Sequence, residues 1–142
     1  MNLQLITLQG VKLNANVYEL GIPTLDGEIG VFPGHEPLVT IAVPGAITVR
    51  YHKGTGNDGR DFYAISGGIV EITPSAVRIL VDEADHGADI IEAESQAALE
   101  RAMALKENAD SQVELEKAHQ MVGHHAARLK VAELHRRHRR NQ

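Results

Sequence analysis

Ala84-Asp85-His86-Gly87-Ala88 divides the chain into two segments of unlike chemistry. All five prolines (Pro23, Pro33, Pro37, Pro44 and Pro74) and 11 of the 13 glycines precede it. Alanine follows it: Ala93, Ala97, Ala98, Ala102, Ala104, Ala109, Ala118, Ala126, Ala127 and Ala132 crowd the last third. Proline and glycine punctuate short strands and turns, and helix interiors exclude them. The boundary therefore predicts β structure on its N-terminal side and helix on its C-terminal side.

On the N-terminal side, Ile47, Val49 and Tyr51 alternate with Thr48, Arg50 and His52, and Val77, Ile79 and Val81 with Arg78 and Leu80. Tyr63 and Ile65 precede the pair Gly67-Gly68, and Ile69-Val70 follow it. A period of two marks a half-buried strand. Turn signals stand at Gly10, Asp26-Gly27, Pro33-Gly34, Pro44-Gly45, Gly54-Thr55-Gly56-Asn57-Asp58-Gly59 and Thr73-Pro74-Ser75. Short strands at this spacing predict an antiparallel sandwich or barrel over residues 1–84.

On the C-terminal side, residues 88–138 predict two helices. Ile91, Ala98, Ala102, Leu105 and Ala109 keep a helical spacing, as do Leu115, Ala118, Val122, His125, Leu129 and Ala132. Asn108-Ala109-Asp110-Ser111-Gln112 breaks the pattern, with Asp110 or Ser111 as N-cap of the second helix. A short loop between two helices gives an antiparallel hairpin. An alanine seam lets the backbones approach but buries little area, at about 25 cal/mol per Å². Gly123 inside the second helix costs about 1 kcal/mol relative to alanine. The hairpin is thus expected to be weakly held, able to open, extend or repack against a partner.

Composition excludes several classes. The 142 residues hold no run long and apolar enough to cross a membrane, and Met1-Asn2-Leu3-Gln4-Leu5 lacks the basic and apolar regions of a secretory signal. With no cysteine there is no disulfide, thiolate nucleophile or cysteine metal site. No tryptophan, 4% aromatics and a net charge of -5 argue against nucleic acid as the main partner. Charge is segregated: Asp82 to Glu116 carry 11 acidic residues against Arg101 and Lys106, whereas Arg128, Lys130, Arg136, Arg137, Arg139 and Arg140 face a single acid, Glu133. An acidic first helix and a basic end of the second attract one another in the hairpin, or the basic end grips an acidic partner.

No catalytic site, metal site or cofactor site emerges. Five of the eight histidines (His119, His124, His125, His135 and His138) lie on the second helix and read as solvent-facing; His135 and His138, at i and i+3, lack a third ligand at helical spacing. Protonation of these rings below pH ~6.5 adds positive charge to a basic segment, which allows pH to modulate a contact there. Asp82, Glu83 and Asp85 read as a solvated turn without a nucleophile or base beside them. Gly27-Glu28-Ile29-Gly30 lacks the lysine and the helix of a phosphate loop.

Pro23-Thr24-Leu25-Asp26-Gly27-Glu28-Ile29-Gly30-Val31-Phe32-Pro33-Gly34-His35-Glu36-Pro37-Leu38-Val39-Thr40 resembles the signature of the epsilon subunit of the F-type ATP synthase, bacterial or plastid type. Pro44-Gly45, Ser66-Gly67-Gly68-Ile69-Val70-Glu71-Ile72, Val77-Arg78-Ile79-Leu80-Val81-Asp82 and Arg128-Leu129-Lys130-Val131-Ala132-Glu133-Leu134 follow in the family's order, so the resemblance spans essentially the whole chain. It implies a β + α fold, with an N-terminal antiparallel β-sandwich followed by a C-terminal two-helix hairpin. It implies a non-catalytic central-stalk subunit whose partners are the gamma subunit, the ring of c subunits and, through extended helices, the alpha/beta catalytic head. Such a subunit couples proton flow to ATP synthesis, regulates ATP hydrolysis, and lies peripherally on the cytoplasmic side of the inner (plasma) membrane without inserting into it. The implied ring contact is Glu28, Gly34 and His35, held between Pro-bounded turns; the implied inhibitory contact is Arg128, Lys130, Arg136 and Arg137. The competing reading is a stand-alone β-sandwich binding module with a basic tail for anionic partners, against which the scarcity of aromatic residues weighs.

The chain also departs from the family. Glu36 stands where a small residue is usual, and Arg137-His138-Arg139-Arg140 is unusually basic. Some members bind ATP through an I/L-D-x-x-R-A motif, and the matching stretch is Ile90-Ile91-Glu92-Ala93-Glu94-Ser95. Ile91 replaces the aspartate, Ser95 the alanine, and Glu94 the arginine. A carboxylate ~4 Å from a phosphate costs about 1 kcal/mol even in water. Isothermal titration with ATP is expected to show no binding, or binding in roughly the millimolar range; micromolar binding would contradict this reading.

Overall fold

The computed structural model describes residues 1–54 and 59–141, so part of the turn expected over Gly54–Gly59 lies outside the described residues. Among the described residues ten strands precede the helices: β1 (Asn2–Thr7), β2 (Gly10–Asn16), β3 (Glu19–Thr24), β4 (Gly27–Val31), β5 (Leu38–Ala42), β6 (Gly45–Arg50), β7 (Arg60–Ile65), β8 (Gly68–Ile72), β9 (Ala76–Val81) and β10 (Ala84–His86). They run in the order β10-β7-β6-β3-β5-β8-β9-β1-β2, with β4 on β3. A single residue pair, Thr24 with Ala42, links β3 to β5, so the sheet divides there into two layers.

The alternation read from the sequence places one side chain in two between these layers. Leu20, Ile22, Ile47, Val49, Tyr63 and Ile65 from one layer meet Leu3, Leu5, Val70, Ile72, Val77 and Ile79 from the other in one buried core. All ladders are antiparallel except β1 with β9, which is parallel with Leu3 opposite Val77 and Leu5 opposite Ile79. No hairpin joins these two strands, so direction is free and burial of their apolar faces sets the register.

Beyond β10 a 3-10 turn (Gly87–Asp89) leads into α1 (Glu92–Glu107) and α2 (Gln112–Arg140). Ser111 is the N-cap of α2: its Oγ accepts the Glu114 N–H at 3.2 Å, and Glu114 Oε2 accepts the Asp110 N–H at 3.0 Å. At the N-cap of α1, Ile91 makes no side-chain capping bond.

α2 packs across β6 and β7, and α1 lies on α2. Phe62 and Ala64, on the outer face of β7, join Ile90, Ala127, Val131 and Ala132 in a second small core. This corrects the expected seam. Of the residues placed on it by spacing, Ala102, Ala118 and Ala132 are buried, but Ile91 and Leu105 are 56% and 55% exposed, and Ser95, which is not on it, is buried. α2 is longer than α1 and serves two neighbours, so a single stripe cannot describe its contacts.

Two substitutions test this attachment. Val131 is fully buried, so Val131→Ala is expected to remove about 2 kcal/mol from docking. Hydrogen exchange would then accelerate in α1 and α2 while the sandwich core keeps its protection. A Cβ on Gly123 would stand 3.5 Å from Pro44 Cβ, an ordinary contact, so Gly123→Ala is expected to strengthen helix protection by about 1 kcal/mol.

Candidate functional site

Three surfaces stand out. The first is the loop between β4 and β5. Glu28 lies in β4, exposed and opposite Pro23. Gly34, at φ +86°, takes a backbone shape that L side chains rarely adopt, and its N–H donates to Pro74 O at 2.8 Å. His35 donates its backbone N–H to Phe32 O at 3.2 Å, and its Nδ1 lies 2.6 Å from Glu36 O. The ring thus fastens the turn it belongs to, and Glu36 itself is exposed. Glu28 stands at the start of β4, one residue after the β3–β4 turn, with its side chain over Gly21, whereas Gly34 and His35 follow the far end of that strand beside Pro74.

The second surface is apolar and lies on the outer face of the layer opposite the helices. Val39, Ile41 and Ile69 are 71%, 53% and 50% exposed, and Ile41 pairs with Ile69 across β5 and β8. An antiparallel sheet with water on one face ordinarily shows polar residues there. A patch of this kind marks a docking face. Sequence reading missed it, although the unbroken run Leu38-Val39-Thr40-Ile41-Ala42 signals a strand apolar on both sides.

The third surface is the junction of α2 with the sandwich. Arg128 Nε lies 3.4 Å from Asp85 Oδ2, an ion pair by distance without the alignment of a hydrogen bond. Arg136 reaches Glu92 Oε2 on α1 at 3.4 Å, as the segregated charge predicts. Arg137 pairs with Glu133 one turn back on α2, and Lys130 is exposed. The four expected contact residues therefore do not converge. Two point back into the folded chain, and two lie along the solvent side of the helix.

The histidines correct the sequence reading more sharply. Instead of facing solvent, several line the junction, because α2 lies on the sheet along the side that carries them. His124 Nε2 meets Glu83 Oε2 at 2.9 Å with its side chain 12% exposed, so the acidic turn is a docking element rather than a solvated corner. His135 faces His86 with ring centroids 6.0 Å apart, and His138 faces Phe62 at 5.8 Å. His86 Nε2 reaches Asp61 Oδ1 at 3.0 Å, and its Nδ1 accepts the Ala88 N–H at 3.1 Å. The Tyr51 hydroxyl donates to Asp61 Oδ2 at 2.9 Å; burial, and then this bond, push the phenol far above its ordinary value. Among the described residues no three His, Asp or Glu side chains form a metal-binding group, and no helix is long and apolar enough to cross a membrane.

Comparison with known proteins agrees with this architecture. A family model described as the beta-sandwich domain of the ATP synthase delta/epsilon chain matches residues 1–87. The chain is 34% identical over 140 residues to the ATP synthase epsilon chain of Chloroflexus aggregans, covering 99% of this chain and 97% of that one. It is 33% identical over 136 residues to that of Herpetosiphon aurantiacus, covering 96% of each. Among solved structures, a chain of the Euglena gracilis mitochondrial ATP synthase, from its OSCP/F1/c-ring assembly, superposes with a TM-score of 0.74 at 27% identity, over 92% of this chain and 79% of that one.

Proposed function

Because the chain belongs to the family of ATP synthase epsilon chains, we propose that it is a non-catalytic subunit of the rotating central stalk, coupling proton flow through the c ring to ATP synthesis and restraining ATP hydrolysis through its helices. The observation that carries this reading is the unlike pair of outer faces on the sandwich. One is covered by a thinly packed hairpin; the other exposes Val39, Ile41 and Ile69 to water, with no described residue laid over them. A body built this way is half of an interface. The gamma subunit is the partner for the apolar face. Glu28, Gly34 and His35 are the contact with the c ring, where a loop fixed by two prolines and by backbone bonds transmits force without yielding. The protein is then peripheral to the membrane, on its cytoplasmic side.

Restraint of hydrolysis follows from the charges of α2. In the folded hairpin Arg128 and Arg136 are held by Asp85 and Glu92. An extended hairpin breaks those pairs and presents Arg128, Lys130, Arg136 and Arg137 to acidic surfaces of the alpha/beta head. The Arg136 pair is exposed and the Arg128 pair partly so, and pairs of this kind are worth about 1 kcal/mol or less, so exchanging partners costs little.

Two experiments test the reading. The chain is expected to copurify with a cognate gamma subunit, and Ile41→Asp with Ile69→Asp to weaken that association at least about tenfold; retained affinity would move the interface elsewhere. In the assembled enzyme, alanine at Arg128, Lys130, Arg136 and Arg137 is expected to raise ATP hydrolysis toward the rate seen without the residues after Gly87. Unchanged hydrolysis, where that deletion does raise activity, would remove these four from the inhibitory contact.

A further inference from the structure

We propose that the junction between α2 and the sandwich is a proton-operated latch, in which His125 and His135 hold the hairpin down while neutral and release it when protonated. The proposal adds to the regulatory reading but does not need it, because it concerns the free chain alone.

The geometry favours neutral rings in the docked form. The Nδ1 atoms of both His124 and His125 are buried and have no hydrogen-bond partner among the described residues. A proton placed on Nδ1 of His125 would be a buried cationic N–H without an acceptor, an arrangement that costs far more than the same proton in water. The two rings lie 5.4 Å apart, so a charge on one opposes a charge on the other. Around His125 stand His124 and Arg128 on α2 and Arg101 on α1, with Glu83 of the sandwich as the opposing carboxylate. Burial, and then the charges of His124, Arg128 and Arg101, hold His125 below the ordinary histidine range.

His135 occupies a similar setting at the other end of the junction. Its Cβ lies where a side chain on Gly87 would collide, at 2.9 Å, so the helix sits directly on the turn that leads into α1. It faces His86 of β10, His138 and Arg139 of its own helix, and Asp61 of β7; Glu92 of α1 lies beside it in the same groove, engaged by Arg136. Asp61, the compensating carboxylate, already meets the Tyr51 hydroxyl and His86. His86 is constrained as well. A backbone N–H only donates, so Nδ1 of His86 must be an acceptor toward Ala88, and protonating it removes the cap of the turn. Burial, followed by His86 and Arg139, lowers His135 also.

The sign follows by linkage. Once the hairpin is released these rings hydrate and titrate near the ordinary 6.5. The docked form binds its protons at lower pH, so docking is fully favoured above that value and is lost as pH falls below it toward the docked values. Two contacts work the other way, because acid strengthens His86–Asp61 and His124–Glu83. Asp61 is already shared and Glu83 is largely exposed, so the unpartnered Nδ1 of His125 and the crowding of His135 by His86 and Arg139 prevail.

The chain has no cysteine, so two can be introduced at exposed sites, Gln9 of the sandwich and Glu116 of α2, and spin-labelled in the full chain. From about pH 8 to about pH 5.5 the docked-to-released ratio is expected to fall by up to about tenfold per histidine, the limit for a group that titrates only when released. His125→Asn with His135→Asn is expected to keep the hairpin docked and flatten the dependence. A ratio that is constant or rises in acid, or an equal fall in the double variant, overturns the latch. Should the variant fold poorly, NMR titration of the unaltered chain decides: both rings are expected below 6.5, and ordinary or raised values overturn it.

Discussion

Everything distinctive about this molecule depends on how little holds α2 to β7. The second core is built from Phe62, Ala64, Ile90, Ala127, Val131 and Ala132, three of them alanine. Against this, the sandwich closes on 14 buried leucine, isoleucine and valine side chains. Burial free energy scales with apolar area, so the sandwich holds its shape through events that dislodge the helices. α1 adds little, because it lies on α2 and starts at Ile91 without a side-chain cap. Polar contacts then gain leverage. Glu83–His124, Asp85–Arg128 and Glu92–Arg136 are each worth about 1 kcal/mol at most, yet they form a larger share of this attachment than they would beside a large core.

Most of the fold is legible in the sequence because both periodicities are clean. Ile47, Val49 and Val77, Ile79 fall into the core where alternation puts them, and the break at Asn108–Gln112 becomes the turn capped by Ser111. Direction of pairing is less legible. Alternation fixes which side chains face inward but is blind to whether β1 meets β9 parallel or antiparallel. The helical seam misleads for another reason. Spacing places Ala102, Ala118 and Ala132 correctly, but α1 has α2 as its main neighbour, so its Leu105 and its cap residue Ile91 end in solvent although their spacing is correct.

The surfaces were harder to read than the core. Glu28, Gly34 and His35 are conspicuous because turns need particular residues, and the structure gives Gly34 its left-handed backbone and His35 a bond to its own turn. The histidines of α2 and the acids near the boundary look like separate solvated groups, since nothing local reveals that they face each other across a tertiary contact. A signal was present in Phe62-Tyr63-Ala64-Ile65, four consecutive buried residues of β7. A strand that is apolar on successive positions is covered on both faces, and the covering element must come from elsewhere in the chain.

The parallel ladder of β1 and β9 has a kinetic consequence. It joins Asn2 to Ala76, 74 residues apart, and closing a loop of that length costs about 4 kcal/mol of chain entropy before the ladder returns anything. The slow event in folding is therefore closure of the sandwich from its two ends, which cannot finish until β9 has been synthesised. The helices are translated afterwards and meet a platform already assembled. Replacements within them should thus alter how readily they leave that platform while hardly changing the speed at which it forms.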